Sequence, residues 1–140
     1  MNRTISNSII YNVYPTSFYD SNGDGIGDIP GIISHLDYLE TLGIAGIWLS
    51  PVCQSPQVDN GYDISDYRNI SPDYGNNELF KKVLDEAHKR GIKVIIDGVF
   101  NHCGSFNKWM DRERIYEGQE GFEKGAYVDE NSPYHTFYHF

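Results

Sequence analysis

The sequence predicts an α/β fold built on a parallel sheet, and three observations support this prediction. Short runs rich in β-branched and apolar residues alternate with segments of helical periodicity over the first hundred residues. Two of these runs are almost continuously apolar, which is typical of strands that are buried on both faces. The returns from helix to strand are short, so right-handed strand–helix–strand units are expected.

The first strand is predicted over residues 8–14, where isoleucine, valine and tyrosine are concentrated. A helix should follow, because Pro30 can occupy its first turn without losing a hydrogen bond and Gly43 can end it in a left-handed conformation. The apolar stripe of this helix comprises Ile32, Ile33, Leu36, Leu39 and Leu42. The second strand is predicted at residues 44–49 and is expected to be buried on both faces.

The second helix is the clearest element, since its apolar residues keep helical spacing and Gly91 can end it. These apolar residues are Leu79, Phe80, Val83, Leu84 and Ala87. The third strand is predicted at residues 93–97, after a long loop from Pro51 to about residue 76. From Gly104 onward the alternation is lost, which indicates a loop-rich segment.

Three strands and two helices are too few for a closed barrel of eight strand–helix units, which needs roughly 250 residues. Three parallel strands also leave open sheet edges, and such edges tend to pair with further strands. We therefore expect the 140-residue chain to be a piece of something larger.

The composition excludes several classes of partner. A formal net charge of -9 at pH 7 argues against nucleic acid and anionic membranes, since both require a basic surface. No apolar stretch approaches the roughly 18 residues of a membrane helix, and residues 1–8 lack the apolar run of a signal peptide. Cys53 and Cys103 do not make a disulfide framework. A cytoplasmic protein without a nucleic-acid or membrane partner is therefore expected.

The loop after the first strand has the spacing of a calcium-binding loop. Oxygen-bearing side chains recur at alternate positions, and Gly25 permits the sharp turn that such loops contain. The candidate ligands are the side chains of Asp20, Asn22, Asp24 and Asp28 and the backbone carbonyl of Ile26. The twelfth position is Gly31, not the bidentate glutamate of an EF-hand, so a single clamped loop is favoured over a calcium sensor. The alternative is an Asx-rich turn without a metal.

The loops after the second and third strands hold two further polar clusters, at residues 59–67 and 97–102. In α/β folds, binding and catalytic groups collect at the carboxyl ends of the strands. In the first cluster a tyrosine stands beside a carboxylate, a combination suited to a sugar ring and its hydroxyls but also common in polar turns. A zinc site formed by His102 with Cys53 and Cys103 lacks the usual ligand spacing, and two free thiols are favoured instead.

Taken together, these segments resemble the α-amylase superfamily of glycoside hydrolases (family 13), most closely its oligo-1,6-glucosidase and neopullulanase-like branches. The resemblance is carried, in order, by residues 10–15, 20–28, 60–67 and 97–102, the last of which matches the family region Asp-x-Val-x-Asn-His. Residues up to about Arg90 are more similar to oligo-1,6-glucosidases, and residues 99–104 and 132–138 to neopullulanases or cyclomaltodextrinases. Preference for α-1,6 or α-1,4 linkages therefore stays open.

The resemblance implies a fold and a domain division. The chain would be the N-terminal portion of a (β/α)₈ TIM barrel, with about three βα units in residues 1–103. Residues 104–140 would begin the loop-rich inserted domain that follows the third strand. The remainder of the barrel would then be a partner of this chain, and the loop at residues 20–28 would bind Ca²⁺.

The resemblance also implies the substrate-binding residues. Tyr62 would stack on the non-reducing glucose of an oligosaccharide, and Asp63 and His102 would bind its hydroxyls. Asp97, counted with them, would help to hold the catalytic strand ends in place. The expected substrates are short α-glucans, that is, malto- or isomalto-oligosaccharides.

The family reaction retains the anomeric configuration and uses two carboxyl groups, one as nucleophile and one as acid and then base. The resemblance places these residues after the fourth, fifth and seventh strands, so no catalytic residue is expected within residues 1–140, and the chain alone should be inactive. Two alternatives stay open. One is a non-catalytic sugar-binding or interaction scaffold, and the other is a calcium-binding module complete at 140 residues.

Overall fold

The computed structural model describes residues 7–140 and divides the chain into two compact units. The first unit comprises the described residues up to Val52 together with Ile70–Gly98, and the second comprises Cys53–Asn69 with Val99–Phe140. Most of the N-terminal segment that was searched for a signal peptide, residues 1–6, lies outside the described residues. The predicted boundary after residue 103, between the barrel and the inserted domain, is a different division of the chain and stays a prediction.

Within residues 7–140 the chain forms five strands and four helices. The strands are β1 (Ile10–Val13), β2 (Gly46–Leu49), β3 (Cys53–Gln54), β4 (Asp66–Ile70) and β5 (Lys93–Ile96). The helices are α1 (Pro15–Phe18), α2 (Ile29–Ser34), α3 (Leu36–Thr41) and α4 (Asn77–Lys89), and a 3₁₀ turn follows at His135–Phe137. No helix in the described part is both long and apolar enough to cross a bilayer.

The sheet of the first unit confirms the predicted α/β class. Its strand order is β1–β2–β5, and both pairings are parallel. Tyr11 pairs with Ile47, and Ile47 in turn pairs with Val94, so the three predicted strands lie in one register. Parallel neighbours require crossover connections, which α2, α3 and α4 provide.

The core of the first unit lies where the helices meet the sheet. Ile47 and Leu49 of β2 are completely buried, and α4 packs against both α2 and β5. The other completely buried aliphatic side chains of this core are Val13, Ile29, Ile32, Leu36, Leu39, Val83 and Ala87. Each large side chain buried in this way stabilises the fold by about 1.5–3 kcal/mol.

Helix α4 begins and ends as the sequence predicts. The side chain of Asn76 accepts a hydrogen bond from the Leu79 N–H at 2.9 Å, which caps the first turn. Gly91 follows the helix with a φ of 69°, in the left-handed region that favours glycine. Gly43, after α3, has a φ of 70° and ends the first helical segment in the same way.

The single helix predicted between Pro30 and Gly43 is wrong, because the structure breaks it into α2 and α3 at His35. The His35 backbone has a φ of -110° and a ψ of 6°, outside helical values. Its ring nitrogen Nδ1 lies 3.0 Å from the carbonyl oxygen of Gly31, and the Ser34 hydroxyl donates to the same carbonyl at 2.8 Å. Side-chain hydrogen bonds to a helix carbonyl compete with the backbone ladder and favour such a break.

Two further expectations need correction. The predicted long loop from Pro51 contains β3 and β4, which pair as a separate two-stranded sheet. The second and third strands are also less buried than predicted, since Trp48, Ile95 and Ile96 are 43%, 45% and 48% exposed. In the described sheet β5 is an edge strand that pairs with β2 alone. Part of its apolar surface is therefore left uncovered.

The second unit confirms the loop-rich character predicted after Gly104. Beyond Gly98 its regular structure in the described residues is the 3₁₀ turn alone. Asp111 is fully buried with a φ of 47°, and its carboxylate accepts hydrogen bonds from the N–H groups of Ile115 and Tyr116 at 2.7 and 3.2 Å. Internal polar contacts of this kind replace helix and strand ladders as the source of order.

Candidate functional site

The segment that precedes Asp63 folds back on that carboxylate. Its Oδ1 accepts hydrogen bonds from the Ser55 hydroxyl at 2.7 Å and the Asp59 N–H at 3.1 Å, and its Oδ2 accepts from the Val58 N–H at 3.0 Å. Asn60 turns the chain with a φ of 51°, a conformation that asparagine tolerates better than most residues. Local sequence thus places the Asp63 carboxylate in one orientation.

These hydrogen bonds also set the charge of Asp63. Partial burial acts to raise its pKa, but the hydrogen bonds from Ser55, Asp59 and Val58 together outweigh it. The pKa of Asp63 therefore lies below the ordinary value for an aspartate, and the side chain is ionised at neutral pH. An ionised carboxylate accepts hydrogen bonds and donates none, so it suits a hydroxyl-rich ligand.

Tyr62 and His102 lie together although 40 positions separate them. Nε2 of His102 is 3.1 Å from the carbonyl oxygen of Tyr62. Because a carbonyl oxygen only accepts hydrogen bonds, Nε2 is the donor in this contact. His102 is exposed and Tyr62 is half-buried, so both side chains are accessible to a ligand.

Tyr67 fastens the chain around His102. Its hydroxyl lies 2.8 Å from the carbonyl oxygen of Val99 and 2.6 Å from that of His102. Burial, together with the nearby thiols of Cys103 and Cys53, raises the pKa of Tyr67 to about 12, so the phenol stays protonated and donates. The second unit therefore brings together Tyr62, Asp63 and His102, three of the four predicted binding residues.

The fourth predicted binding residue, Asp97, belongs to the first unit. It directly follows β5, and its N–H donates to the carbonyl of Leu49 at 3.0 Å, which continues the parallel pairing by one residue. Asp97 therefore stands at the carboxyl end of a sheet strand, the position where α/β folds carry their functional groups.

The predicted calcium loop is ordered by its own carboxylates. Asp20 accepts hydrogen bonds from the N–H groups of Gly23 and Gly25 at 2.7 and 2.8 Å, and Asp24 accepts from Ile26 at 2.8 Å. The hydrogen bonds from Gly25 and Gly23 lower the pKa of Asp20. Asn22 completes the turn by donating its amide to Asp24 at 3.0 Å.

Asp28 has a structural role that the calcium prediction did not include. It is 4% exposed, and its Oδ1 accepts the Gly31 N–H at 2.7 Å as the N-cap of α2. Its Oδ2 accepts the Ser21 hydroxyl at 2.7 Å. An aspartate two residues before Pro30 is a recognisable cap signal, so the sequence contained this information.

The donor set of this loop suits a calcium ion chemically, because carboxylate and amide oxygens are its preferred ligands. Within residues 7–140, however, no three side chains of the histidine, cysteine, aspartate and glutamate classes are grouped as a metal site. The oxygens of Asp20, Asp24 and Asp28 each already accept at least one hydrogen bond, although carboxylates have further lone pairs for a cation.

Sequence reasoning missed a cavity in the second unit. It has a volume of about 350 Å³, and its aromatic lining consists of Tyr67, Trp109, Tyr116 and Phe122. The polar part of the lining comes from the two chain segments of the unit and consists of Ser65, Asp66, Arg68, Asn107 and Lys108. A high aromatic content after Gly104 was the only signal for this cavity in the sequence.

The two cysteines are free thiols, as predicted. Cys103 Sγ lies 3.0 Å from the Tyr138 hydroxyl, and Cys53 Sγ lies 3.8 Å from the Tyr67 carbonyl oxygen. Burial raises the pKa of both thiols, so neither is a reactive thiolate at neutral pH.

The amino-acid sequence is similar to that of known glycoside hydrolases. The sequence pattern of the alpha-amylase catalytic domain family matches residues 12–140. An oligo-1,6-glucosidase of Heyndrickxia coagulans is 49% identical over 94% of the chain and 21% of its own length. A trehalose-6-phosphate hydrolase of Bacillus subtilis is 47% identical over the same shares of the two chains.

Solved structures agree with the sequence matches. The structure of the Bacillus licheniformis trehalose-6-phosphate hydrolase has a TM-score of 0.82 and 45% identity, and covers 94% of this chain and 21% of that one. The isomaltulose synthase of Protaminobacter rubrum has a TM-score of 0.82 and 43% identity over the same shares. The chain thus spans about a fifth of the length of these relatives.

The match over residues 12–140 includes the second half of β1, all of β2 and β5, and all the predicted site residues, so it extends well beyond a single motif. The α/β class and the partial-barrel architecture predicted from the sequence agree with it. The chain belongs to the alpha-amylase catalytic domain family of glycoside hydrolases.

Proposed function

We propose that this chain is part of a retaining α-glycosidase that acts on short malto- or isomalto-oligosaccharides. In this proposal Tyr62 stacks on the terminal glucose, while Asp63 and His102 bind its hydroxyls. The observation that carries the proposal is the ionised Asp63 carboxylate, which three hydrogen bonds hold in place. Next to it in the chain is Tyr62, whose carbonyl oxygen orients His102. The names of the oligo-1,6-glucosidase relatives support the substrate class.

The roles follow from the chemistry of a pyranose ring, which has apolar C–H faces and a rim of hydroxyls. The Tyr62 ring offers an apolar face. Asp63 accepts hydrogen bonds from the sugar hydroxyls, and a hydrogen bond to a charged group contributes about 1.5–3 kcal/mol. Because these groups are oriented before the sugar arrives, less conformational entropy is lost on binding.

We infer that residues 1–140 by themselves hydrolyse no glycoside. A retaining mechanism needs two carboxyl groups about 5–5.5 Å apart, and the family resemblance assigns neither of them to this chain. Incubation of the purified chain with maltose and isomaltose should therefore release no glucose. Release of glucose by a pure preparation contradicts this inference.

The test of the binding roles uses the complete gene product. Asp63→Asn should lower kcat/KM about tenfold to a hundredfold, because a charge-assisted hydrogen bond becomes a neutral one. Tyr62→Ala and His102→Ala should do the same, whereas Asp59→Asn, in the same loop, serves as the matched control. Hydrolysis that is unchanged in all three variants refutes the proposal.

We also propose that the loop of Asp20, Asn22, Asp24 and Asp28, with the Ile26 carbonyl, binds Ca²⁺ as a structural ion. The support is the alternate spacing of oxygen donors and their chemical fit to this ion. Calcium should raise the melting temperature of the chain, and Asp24→Asn should remove this rise. Equal melting temperatures with calcium and with chelator contradict the proposal.

The remainder of the barrel is proposed as the partner of the β1–β2–β5 sheet. β5 lies at one end of the strand order, and the exposed side chains of Ile95 and Ile96 leave apolar surface for a further element. A closed barrel would give each strand two neighbours. A cytoplasmic location stays part of the proposal, and the free thiols of Cys53 and Cys103 support it.

A further inference from the structure

The 350 Å³ cavity of the second unit shares Tyr67 and Trp109 with a smaller pocket that His102 lines, but its other lining residues are its own. Tyr62, Asp63 and His102 do not line it. Its size lies in the range of small-molecule sites, which typically combine aromatic walls with a few polar groups. The aromatic walls are Tyr67 with Trp109 and Tyr116 with Phe122.

The first wall is a stacked and fixed pair. The Tyr67 and Trp109 rings are 5.9 Å apart between centroids, with planes inclined by 14°. The single proton of the Tyr67 hydroxyl is shared between the carbonyl oxygens of Val99 and His102, at 2.8 and 2.6 Å. The backbone N–H of Trp109 donates at 2.9 Å to the side-chain oxygen of Asn107, which is 2% exposed, so the backbone that carries the ring is held in place. A fixed aromatic surface binds a flat ligand face with little further loss of entropy.

The second wall, formed by Tyr116 and Phe122, is held by a backbone hydrogen bond and is partly exposed to solvent. The N–H of Tyr116 donates to the buried carboxylate of Asp111, which positions the backbone at this point. The Tyr116 and Phe122 rings are 4.8 Å apart between centroids, and Phe122 is 43% exposed. An apolar ring that remains exposed on a cavity wall gains free energy when a ligand covers it.

The polar lining supplies both a donor and an acceptor. Lys108 is exposed and forms no ion pair within the part of the chain that the structure describes. The carboxylate of Asp66 accepts hydrogen bonds from the Arg68 N–H at 2.8 Å on one oxygen and from the Asn69 amide at 2.7 Å on the other. Lone pairs of this carboxylate therefore remain for a ligand hydroxyl.

We propose that this cavity binds a glucosyl unit of an α-glucan, as a second carbohydrate site beside the one that holds the terminal glucose. Flat aromatic walls fit the C–H faces of a pyranose, and the Asp66 carboxylate and Lys108 ammonium fit its hydroxyls. The choice of an α-glucan rests on the proposed function. The second site increases the apparent affinity for longer chains, since two linked contacts act together.

The test detects ligand binding in the cavity by the ¹⁹F NMR signal of Trp109. The complete gene product is labelled with 5-fluorotryptophan, and the ¹⁹F resonance that disappears in Trp109→Phe is assigned to this residue. Sulfur-linked maltotriose, which glycosidases do not cleave, is then titrated into the protein. The Trp109 resonance should shift with saturation at ligand concentrations on the order of 1 mM.

Variants of the second wall separate this site from its surroundings. Tyr116→Ala should weaken the response of Trp109 about tenfold, because a truncated aromatic contact typically costs more than 1 kcal/mol. Lys108→Ala should weaken it less. Tyr127→Ala is the matched control, since Tyr127 is an exposed tyrosine of the same unit that does not line the cavity. It should leave the response unchanged.

Three results overturn the proposal: a Trp109 resonance that does not move, a response that survives Tyr116→Ala unaltered, or a response that Tyr62→Ala abolishes. Hydrolysis of ordinary maltotriose and isomaltose, measured on the same protein preparations without the sulfur-linked ligand, distinguishes the two proposals. A saturating Trp109 response without hydrolysis supports the cavity and contradicts the proposed function. Hydrolysis without a shift of the Trp109 resonance supports the proposed function and contradicts the cavity proposal.

Discussion

Substitution of Ser55 by alanine should change both the charge and the placement of Asp63. The Ser55 hydroxyl donates to Asp63 Oδ1 at 2.7 Å and accepts the N–H of Gln57 at 2.9 Å. Ser55→Ala removes the first hydrogen bond and leaves that N–H without its partner. The loss of a hydrogen bond to a charged acceptor costs about 1.5–3 kcal/mol, and solvent screening of a half-buried carboxylate reduces this to about 1 kcal/mol.

The pH dependence follows from the lowered pKa of Asp63. A carboxyl group whose pKa is lower in the folded state stabilises the protein above its ordinary pKa, about 3.9, and loses this contribution as the pH falls through its folded pKa. In Ser55→Ala the pKa of Asp63 should rise towards the ordinary value. The stability difference between wild type and variant should therefore shrink as the carboxylate protonates.

The assay is an NMR titration of the Asp63 carboxyl carbon, combined with urea unfolding at neutral and at acidic pH. Ser65→Ala is the matched control, because that hydroxyl donates to the Gln54 carbonyl at 3.0 Å and not to a carboxylate. Its effect should not depend on pH in this range. An Asp63 pKa that is identical in wild type and Ser55→Ala refutes the assigned role of Ser55.

Four further predictions concern the fold and the site. Leu39→Ala should destabilise the first unit by about 2–5 kcal/mol, because a fully buried side chain leaves a cavity; urea unfolding measures this, and a loss below that of an exposed Leu42→Ala contradicts it. Asn76→Ala should cost about 1 kcal/mol through the lost cap of α4 and lower the melting temperature, whereas Asn76→Asp should retain the cap. Gly104→Ala should weaken sugar binding, since its Cβ would clash with the backbone carbonyl of Asp63; unchanged affinity in a binding titration excludes this close approach. The purified 140-residue chain should self-associate through the open edge of β5. Ile96→Lys should reduce this association in sedimentation experiments, because Ile96 is exposed on that strand. A chain that stays monomeric at high concentration contradicts the prediction.

Most of the first unit was predictable because its information is local. The apolar runs at residues 44–49 and 93–97 predict the positions of β2 and β5, and Gly43 and Gly91 end the helices that precede them. Periodicity and capping act over a few residues, so they are written in contiguous sequence. The break at His35 was missed because it depends on a ring that bonds a carbonyl and packs against Phe18 and Tyr19.

The candidate site shows the same limit. The motifs at residues 60–67 and 97–102 predicted Tyr62, Asp63 and His102 as binding residues, but did not indicate that Ser55 holds the Asp63 carboxylate. The hydrogen bonds from Tyr67 to Val99 and His102 join positions more than 30 residues apart. Such pairings follow no period in the sequence.

The sequence by itself determined the α/β class, the order of the three parallel strands β1, β2 and β5, and the family, and it named candidate binding residues. Only the tertiary structure decided which carbonyl holds His102, which hydroxyl holds Asp63, and that Tyr67 stacks on Trp109 beside a cavity. The physical reason is that a local element depends on neighbours a few residues away. A site depends on side chains from distant segments, which contact each other only after the chain has folded.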